Sequence, residues 1–373
     1  MLTEKSRLQD FPALADMAYL NTAAESIPPV CVHEALAQYA RDKGLGMRGR
    51  VPHNETMEAC REVAARMIDL KPSEVSFCSC SSEAYNLLAN ALDLKTEDEV
   101  VITDLDFPSG ATPWLNAATP PKVHLWKSLN GALNANDLTN LLNERTKLVQ
   151  VSLVSFYNGH RIDWKPFVQA VRTQAPQAKI AVDVTQALGR IELDCTDYDI
   201  LISSTHKWIL GVHGGCIVGI PGKDKAITTY AGGWFHLENA FESDRFERTV
   251  RKEGAPSFSV GMPNYAAIYA LNAALGYIES VGVAAIAAHA NPLVAQLETG
   301  LQELGQQPMC LQREGSYSGI LAIQHDRTDD IHARLEAAEI HVMNHAGRLR
   351  MALHGYNRAA DVEKFLSVLK KML

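Results

Sequence analysis

The alternation of short apolar segments with amphipathic segments constrains the fold of this chain most strongly. Several helical patterns lie between the apolar segments, at 54–70, 82–92 and 135–143. Strands that are apolar on both faces and alternate with helices are typical of a mostly parallel sheet covered by helices. The sequence therefore predicts an α/β fold whose sheet has seven strands, at VSFCS (75–79), EVVITD (99–104), KVHLW (122–126), KLVQVSLVS (147–155), KIAVDV (179–184), DILISS (199–204) and GCIVGI (215–220).

A second, smaller unit is predicted after about residue 255, where the pattern changes. Ala-rich helical patterns cover 264–280 and 283–304, and Pro292 is expected to kink or divide the second one. Strands near 318–324 and 348–352 precede a closing helix, for which Asn357 is a candidate cap. A chain of 373 residues exceeds the usual size of one core. We therefore expect three parts, an N-terminal arm near the small domain (1–20), a large domain (21–257) and a small α+β domain (258–373).

Charge and composition exclude several classes of protein. The net charge of −8 argues against a nucleic-acid surface or a polybasic membrane surface. The first 17 residues carry acids and lack the apolar region of a secretory signal, and the charge-free stretch 254–278 is too rich in proline and polar residues for a membrane span. Seven scattered cysteines suggest reduced thiols. We expect a cytoplasmic enzyme that has no nucleic-acid or membrane partner and no metal.

Two polar residues follow neighbouring predicted strands. Asp183 ends the apolar segment KIAVDV, and Lys207 lies 24 residues later in ISSTHKW, one strand–helix–strand step along the chain. Ligands bind at the carboxyl ends of strands in open α/β sheets, so these side chains are expected to lie close together. A partly desolvated lysine loses its proton more readily and becomes nucleophilic. Taken singly, a helix-capping aspartate and a solvated lysine remain open alternatives.

Two other predicted strand ends carry groups suited to the same ligand. Ser81 and Ser82 open a helix after the strand at 75–79, where hydroxyls and free N–H groups can hold a phosphate. Phe107 follows the strand at 99–104 and is placed to lie over an aromatic ring. Helix capping and core packing are the simpler explanations of each feature alone. Together with the carboxylate and the lysine, they make up the contacts that pyridoxal 5′-phosphate requires.

On these motifs the sequence resembles the class V aminotransferase-fold family of pyridoxal-phosphate enzymes, near its aminotransferase, cysteine desulfurase and isopenicillin N epimerase-like members. The resemblance runs from YLNTAAESIPP (19–29) to RLRMALHGYN (348–357) and implies fold type I and a homodimer. It implies that Lys207 forms the Schiff base with the cofactor and that Asp183 faces the pyridine nitrogen. The other implied contacts are Gln186 at the ring hydroxyl, Phe107 stacked on the ring, and Ser81, Ser82, Ser204 and His206 at the phosphate.

The resemblance also implies a substrate site. Arg350 matches the arginine that binds the substrate α-carboxylate, a task for which the guanidinium fork is well suited. Asn21, in the LNTAA motif, is a further expected contact with substrate. Lys207 is expected to remove the α-proton while Asp183 keeps the ring nitrogen protonated.

Three departures from the family pattern matter for function. No cysteine follows Cys310, so the persulfide chemistry of cysteine desulfurases is not expected. Met262 stands where relatives have a threonine that reaches the phosphate of the neighbouring subunit, and Phe156 replaces a polar residue near the cofactor. The sequence therefore predicts an aminotransferase acting on a small amino acid. A pyridoxal-phosphate carbon–sulfur lyase or an epimerase is the alternative, and a cofactor-free α/β binding protein is the rival from another class.

Overall fold

The computed structural model describes residues 4–222, 227–313 and 316–373. The α-helices are α1 (Glu4–Asp10), α2 (Val30–Lys43), α3 (Arg50–Met67), α4 (Ser81–Leu92), α5 (Pro108–Leu115), α6 (Ala135–Thr139), α7 (Trp164–Gln174), α8 (Tyr265–Val281), α9 (Val283–Glu303), α10 (Thr328–Glu336) and α11 (Ala359–Lys370). The strands are β1 (Ala18–Tyr19), β2 (Val75–Cys78), β3 (Glu99–Thr103), β4 (Lys122–Trp126), β5 (Thr146–Ser152), β6 (Lys179–Asp183), β7 (Ile200–Ser204), β8 (Cys216–Gly219), β9 (Ile320–Gln324), β10 (Ile340–His341), β11 (Met343–His345) and β12 (Arg348–Ala352).

A seven-stranded sheet forms the centre of the protein, which confirms the prediction of a mostly parallel sheet. Its strand order is β2-β8-β7-β6-β5-β3-β4, and β8 alone runs antiparallel to its neighbours within this sheet. All seven predicted segments form its strands. The predicted strand at 147–155 ends earlier, at Ser152, because the following backbone leaves the ladder and Ser155 N donates to His160 O instead.

The order of the strands brings the predicted site residues to one edge of the sheet. β5, β6 and β7 are adjacent and parallel, and Asp183 at the end of β6 pairs in register with Ile202 of β7. The connection between β6 and β7 contains no helix, so the expected strand–helix–strand step was wrong in that part. Gly189 ends the first turn there at φ +85°, a conformation that favours glycine.

The sheet is buried on both faces. On one face, Val149, Val182 and Leu201 pack beneath α3, α7 and α8. On the other face, Leu148, Ala181 and Ile202 pack beneath α4 and α5. Alternate residues of each strand enter opposite cores, as the period of a β-strand requires. The continuous apolar segments in the sequence therefore reflect burial on both sides.

The C-terminal part forms a three-stranded antiparallel sheet, β11-β12-β9, whose apolar side chains pack with those of α9 and α11. β1 pairs in parallel with β10, which brings the N-terminal segment to this part.

The division at 20 and 257 stays a prediction, since α8 packs against α2 and α3. Helix α9 continues through Pro292 as one element. Asn357 does not cap α11, because Arg358 occupies the N-cap and the Asn357 side chain donates to Tyr19 O.

Among the described residues, no single helix is long and apolar enough to cross a membrane. α8 and α9 meet that test only as a pair, across a bend of 75°.

Candidate active site

A cavity opens at the carboxyl edge of the sheet. The loops that follow β3, β5, β6 and β7 and the start of α4 supply its walls. Its lining residues are Ser81, Phe107, Ser109, Ser152, Val154, Phe156, Asp183, Thr185, Gln186, Ser204, His206 and Lys207. The structure therefore brings seven of the predicted site residues to one cavity.

The Lys207 side chain lies in this cavity, with its Nζ 5.3 Å from the centroid of the Phe107 ring. Burial lowers the pKa of the Lys207 amine from 10.5 to about 8, and the positive charge of Arg350 acts in the same direction. The negative charge of Asp183 opposes both effects. No described acceptor lies within hydrogen-bonding distance of the amine. Near neutral pH the site therefore holds a lysine that gives up its proton unusually easily.

Asp183 is buried and held by two donors. The Tyr85 hydroxyl donates to Oδ2 at 2.9 Å, and the backbone N–H of Thr185 donates to Oδ1 at 2.8 Å. These two hydrogen bonds fix the orientation of the carboxylate. Tyr85 was not identified from the sequence. It lies on α4, one turn after Ser81, so its position on the helix that was expected to cradle the phosphate was an available signal.

Gln186 connects the floor of the cavity to two other segments. Its Oε1 accepts a hydrogen bond from Trp208 Nε1 at 2.6 Å, and its Nε2 donates to Ala23 O at 3.0 Å. The second hydrogen of Nε2 has no such contact and is the one suited to a ring oxygen. Gln186 therefore also fixes the N-terminal segment against the loop that carries Lys207.

Hydroxyl groups and an imidazole gather at the end of the cavity beside α4. Ser81 Oγ lies 3.5 Å from Ser109 Oγ, and Ser204 lines the same cavity. His206 stacks on His213 with ring centroids 4.3 Å apart, and burial, aided by Lys207 and His213, lowers its pKa to about 4. Ser82 is exposed and does not line the cavity.

Phe107 is 44% exposed, so core packing does not account for it. Its ring meets the Phe156 ring edge to face, with centroids 5.0 Å apart. One face of Phe107 is thus left to the cavity, where Lys207 also lies. This arrangement suits an aromatic ligand stacked on Phe107.

Arg350 lies behind the Phe156 loop rather than on the cavity wall. It is 2% exposed, and its Nη1 donates to Phe156 O at 2.6 Å, while Nε and Nη2 have no partner among the described residues. Burial and then the charge of Arg348 lower the Arg350 pKa to about 10. Asn21 bridges to Ala352 on the same strand, and its buried Oδ1 has no partner in the part of the chain that the structure describes.

The residues present fit pyridoxal phosphate. The cavity combines an amine with no hydrogen-bond partner among the described residues, a carboxylate fixed by two donors, an exposed aromatic face and a group of hydroxyls. These are the groups needed for an aldehyde, a pyridine nitrogen, a ring face and a phosphate. Among the described residues, no cluster of three His, Cys, Asp or Glu side chains is suited to a metal ion.

Comparison with known proteins gives a consistent assignment. The model of the aminotransferase class-V family matches residues 18–365. The uncharacterized aminotransferase YcbU of Bacillus subtilis is 26% identical over 95% of this chain and 94% of its own length. A cysteine desulfurase of Cronobacter sakazakii is 29% identical over 79% of this chain and 76% of its own.

Solved structures share the fold. The apo cysteine desulfurase of Thermococcus onnurineus superposes with a TM-score of 0.87 at 23% identity, covering 100% of this chain and 98% of that one. The cystine C–S lyase C-DES, in complex with its reaction product cysteine persulfide, gives a TM-score of 0.86 at 20% identity, covering 96% of this chain and 99% of that one.

Proposed function

Because this chain belongs to the aminotransferase class-V family, we propose that it is a pyridoxal-phosphate enzyme that transfers the amino group of a small amino acid. One observation carries the proposal. The Lys207 amine and the Asp183 carboxylate lie in one cavity. The guanidinium of Arg350 lies behind the cavity wall, and its positive charge lowers the pKa of the Lys207 amine. An amine, an acid and a carboxylate-binding group in this arrangement suit an α-amino acid.

Bound pyridoxal phosphate supplies an aldehyde that takes up amines and a ring that withdraws electrons from the substrate α-carbon. Arg350 binds the α-carboxylate through its Nε and Nη2 donors and orients the α-carbon. Lys207, with its pKa lowered to about 8, would take the proton from the substrate α-carbon at Nζ and give it up again as the amino group is transferred. Asp183, held by Tyr85 and Thr185, would face the ring nitrogen and hold the proton there.

A carbon–sulfur lyase is the second candidate, because one structural neighbour is described as a cystine C–S lyase. Both reactions begin with removal of the α-proton. A persulfide-forming desulfurase is not favoured. No cysteine occurs in 311–373, and the buried Cys310 thiol contacts His160 Nδ1 at 3.8 Å, with its pKa raised by burial to about 11. Epimerisation ranks third.

The experiment that separates these reactions is a half-reaction screen. The purified holoenzyme is mixed with each amino acid in turn, and the absorbance of the cofactor is followed beside assays for oxo acid and sulfide. Conversion to the pyridoxamine form with stoichiometric oxo acid supports transamination. Sulfide or ammonia release with unchanged cofactor supports the lyase, and α-proton exchange without either product supports the epimerase. A Lys207→Ala variant that still exchanged the α-proton would contradict the assigned base.

We also propose a cytoplasmic homodimer. Several large apolar side chains are exposed, among them Met47 (73%), Phe241 (83%) and Phe246 (89%), as expected where a second subunit packs. All seven cysteines are free, which suits a reducing compartment. Sedimentation equilibrium should give twice the chain mass of 40.9 kDa. A single-chain mass at micromolar concentration would rule out the dimer.

A further inference from the structure

Two arginines project from the same face of β12 towards the loop that follows β5. Arg348 and Arg350 are two residues apart on the strand, so their side chains share a face. Both are almost completely buried, at 1% and 2% exposure. Within the described ranges, neither forms an ion pair with a carboxylate. Of the other buried arginines, Arg7 lies 4.0 Å from Asp361 Oδ2, whereas Arg190 donates to Leu353 O and Asn291 Oδ1.

The hydrogen bonds of this pair leave three donors unused. Arg348 Nε donates to Tyr157 O at 2.9 Å, and Nη1 donates to His345 O at 3.0 Å. Arg350 donates only from Nη1, to Phe156 O. Arg348 Nη2, Arg350 Nε and Arg350 Nη2 are buried with no acceptor among the described residues. Leaving such donors unpaired, on two like charges side by side, is strongly unfavourable unless an anion binds there.

We propose that Arg348 and Arg350 together bind one substrate with two acidic groups, a dicarboxylic amino acid or the corresponding oxo diacid. This inference rests on the proposed function, in which Arg350 takes the α-carboxylate. Arg348 then takes the distal acidic group. A substrate that brings two negative charges compensates both guanidiniums at once, whereas a monoacid leaves Arg348 uncompensated.

The spacing and the intervening surface suit such a ligand. Two residues of a strand span about 6.6 Å, and the carboxylates of a four- or five-carbon diacid lie about 4–5 Å apart. The Phe156 ring lies beside Arg348, with its centroid 5.8 Å from Arg348 Cζ and 5.0 Å from the centroid of Phe107 in the cavity. The Phe156 backbone O accepts from Arg350 Nη1, so both guanidiniums adjoin this residue. The methylene groups of the substrate can therefore lie against an apolar ring next to Arg348.

The test is the binding of unreactive carboxylates to the cofactor-free protein and to the holoenzyme, measured by calorimetry. Succinate is compared with butyrate, and glutarate with valerate, so that each pair differs in one carboxylate. We expect each diacid to bind about tenfold tighter than its monoacid, the order expected for one charge-assisted contact. Equal affinity within each pair in the wild-type protein would overturn the proposal, whatever the variants do.

Variants assign the effect to Arg348. Arg348→Gln should remove the advantage of the diacids and leave butyrate binding unchanged, whereas Arg334→Gln, an exposed position on α10, should change neither. A diacid advantage that survives in a folded Arg348→Gln protein would contradict the role of Arg348. Arg348→Lys replaces the glutamine variant if that variant does not fold, and it should keep part of the advantage of the diacids.

Arg350→Gln should weaken the binding of all four ligands. If Arg350→Gln does not weaken them, Arg350 does not bind the α-carboxylate as the proposed function requires. The comparison of diacid with monoacid still decides this inference.

Discussion

The proposed chemistry depends most on the protonation state of one side chain, the Lys207 amine. With its pKa lowered to about 8, the amine is half neutral more than two pH units below an ordinary lysine. In the cofactor-free protein, labelling of Lys207 by pyridoxal and borohydride should rise with pH and level off above about 8. Labelling of an exposed lysine such as Lys371 serves as the comparison. Peptide mass spectrometry at each pH measures both, and parallel curves for the two lysines would show that burial does not activate Lys207.

Tyr85 provides a second test, because it connects α4 to Asp183. Tyr85→Phe removes the hydroxyl that donates to Asp183 Oδ2 and keeps the buried ring. A lost hydrogen bond to a charged group corresponds to about 1.5–3 kcal/mol, so we expect the dissociation constant for pyridoxal phosphate to rise about tenfold or more. Fluorescence titration of the cofactor-free protein measures it. Tyr265→Phe removes a hydroxyl that donates to Asn54 Oδ1 away from the cavity, and should have no effect.

The residues that the sequence could identify are those that follow the strands directly. Asp183 and Lys207 were placed together because parallel strands end at the same edge. Their roles towards the cofactor stay predictions. Tyr85 and Thr185 could not be found in this way, since their contacts with Asp183 depend on how α4 packs on the sheet and how the chain turns after β6. Arg348 was missed because the orphaned donors become visible only in three dimensions.

Among the elements, β3 depends on one buried carboxylate at its first residue. Glu99 is 1% exposed and accepts from Asn143, His124 and Arg145, and Lys122 also lies within 3.4 Å. Burial raises its pKa, but these hydrogen bonds outweigh burial and lower it to about 2. The folded protein therefore binds this proton less readily than the unfolded chain does. The stabilisation is complete above pH 4.5 and is lost as the pH falls towards 2.

Glu99→Gln should lower the free energy of unfolding by about 1–3 kcal/mol at pH 7, since an amide keeps the shape but not the charge. The difference from the wild-type protein should narrow steadily below pH 4.5. Urea unfolding at pH 7, 5 and 3.5 measures it, with the exposed Glu97→Gln as the control. A difference that is independent of pH would assign the loss to packing rather than to charge.

The strands were predicted more accurately than the connections between them. The apolar segments end abruptly in polar residues, and they predicted the bounds of the strands to within three residues. Burial on both faces makes nearly every residue of a strand apolar, so the ends of the strand can be recognised in the sequence. The connection between β6 and β7 was predicted less well, since the 24-residue spacing of Asp183 and Lys207 was taken to include a helix. Gly189 in this connection has φ +85°, which is not a helical conformation. A Cβ at this position would come within 2.9 Å of both Ile209 and the Trp208 carbonyl, so close packing on the Lys207 loop requires glycine.

Across the protein as a whole, the strand that carries Arg350 is tied to the loop that carries Lys207. His354, two residues after β12, donates from Nε2 to Trp208 O at 2.8 Å, and Arg190 Nε donates to Leu353 O at 2.8 Å. Trp208 in turn donates to Gln186, which holds the N-terminal segment. The distance between the proposed carboxylate-binding group and the proposed base is therefore set by contacts between parts that are far apart in sequence, which no local pattern could reveal.

His354→Phe tests this connection, because phenylalanine can keep the stacking on Trp208 and Tyr356 but cannot donate to Trp208 O. Unfolding free energy should fall by about 1–3 kcal/mol at pH 7. Burial lowers the pKa of His354 to about 3, so between pH 6.5 and 3 the unfolded chain binds the proton that the folded protein excludes. Wild-type stability from this residue therefore declines as the pH falls, and the gap to the variant should shrink. If the connection also sets the position of Arg350, the KM for substrate should rise in His354→Phe more than kcat falls, whereas a purely structural contact would lower stability and leave both unchanged.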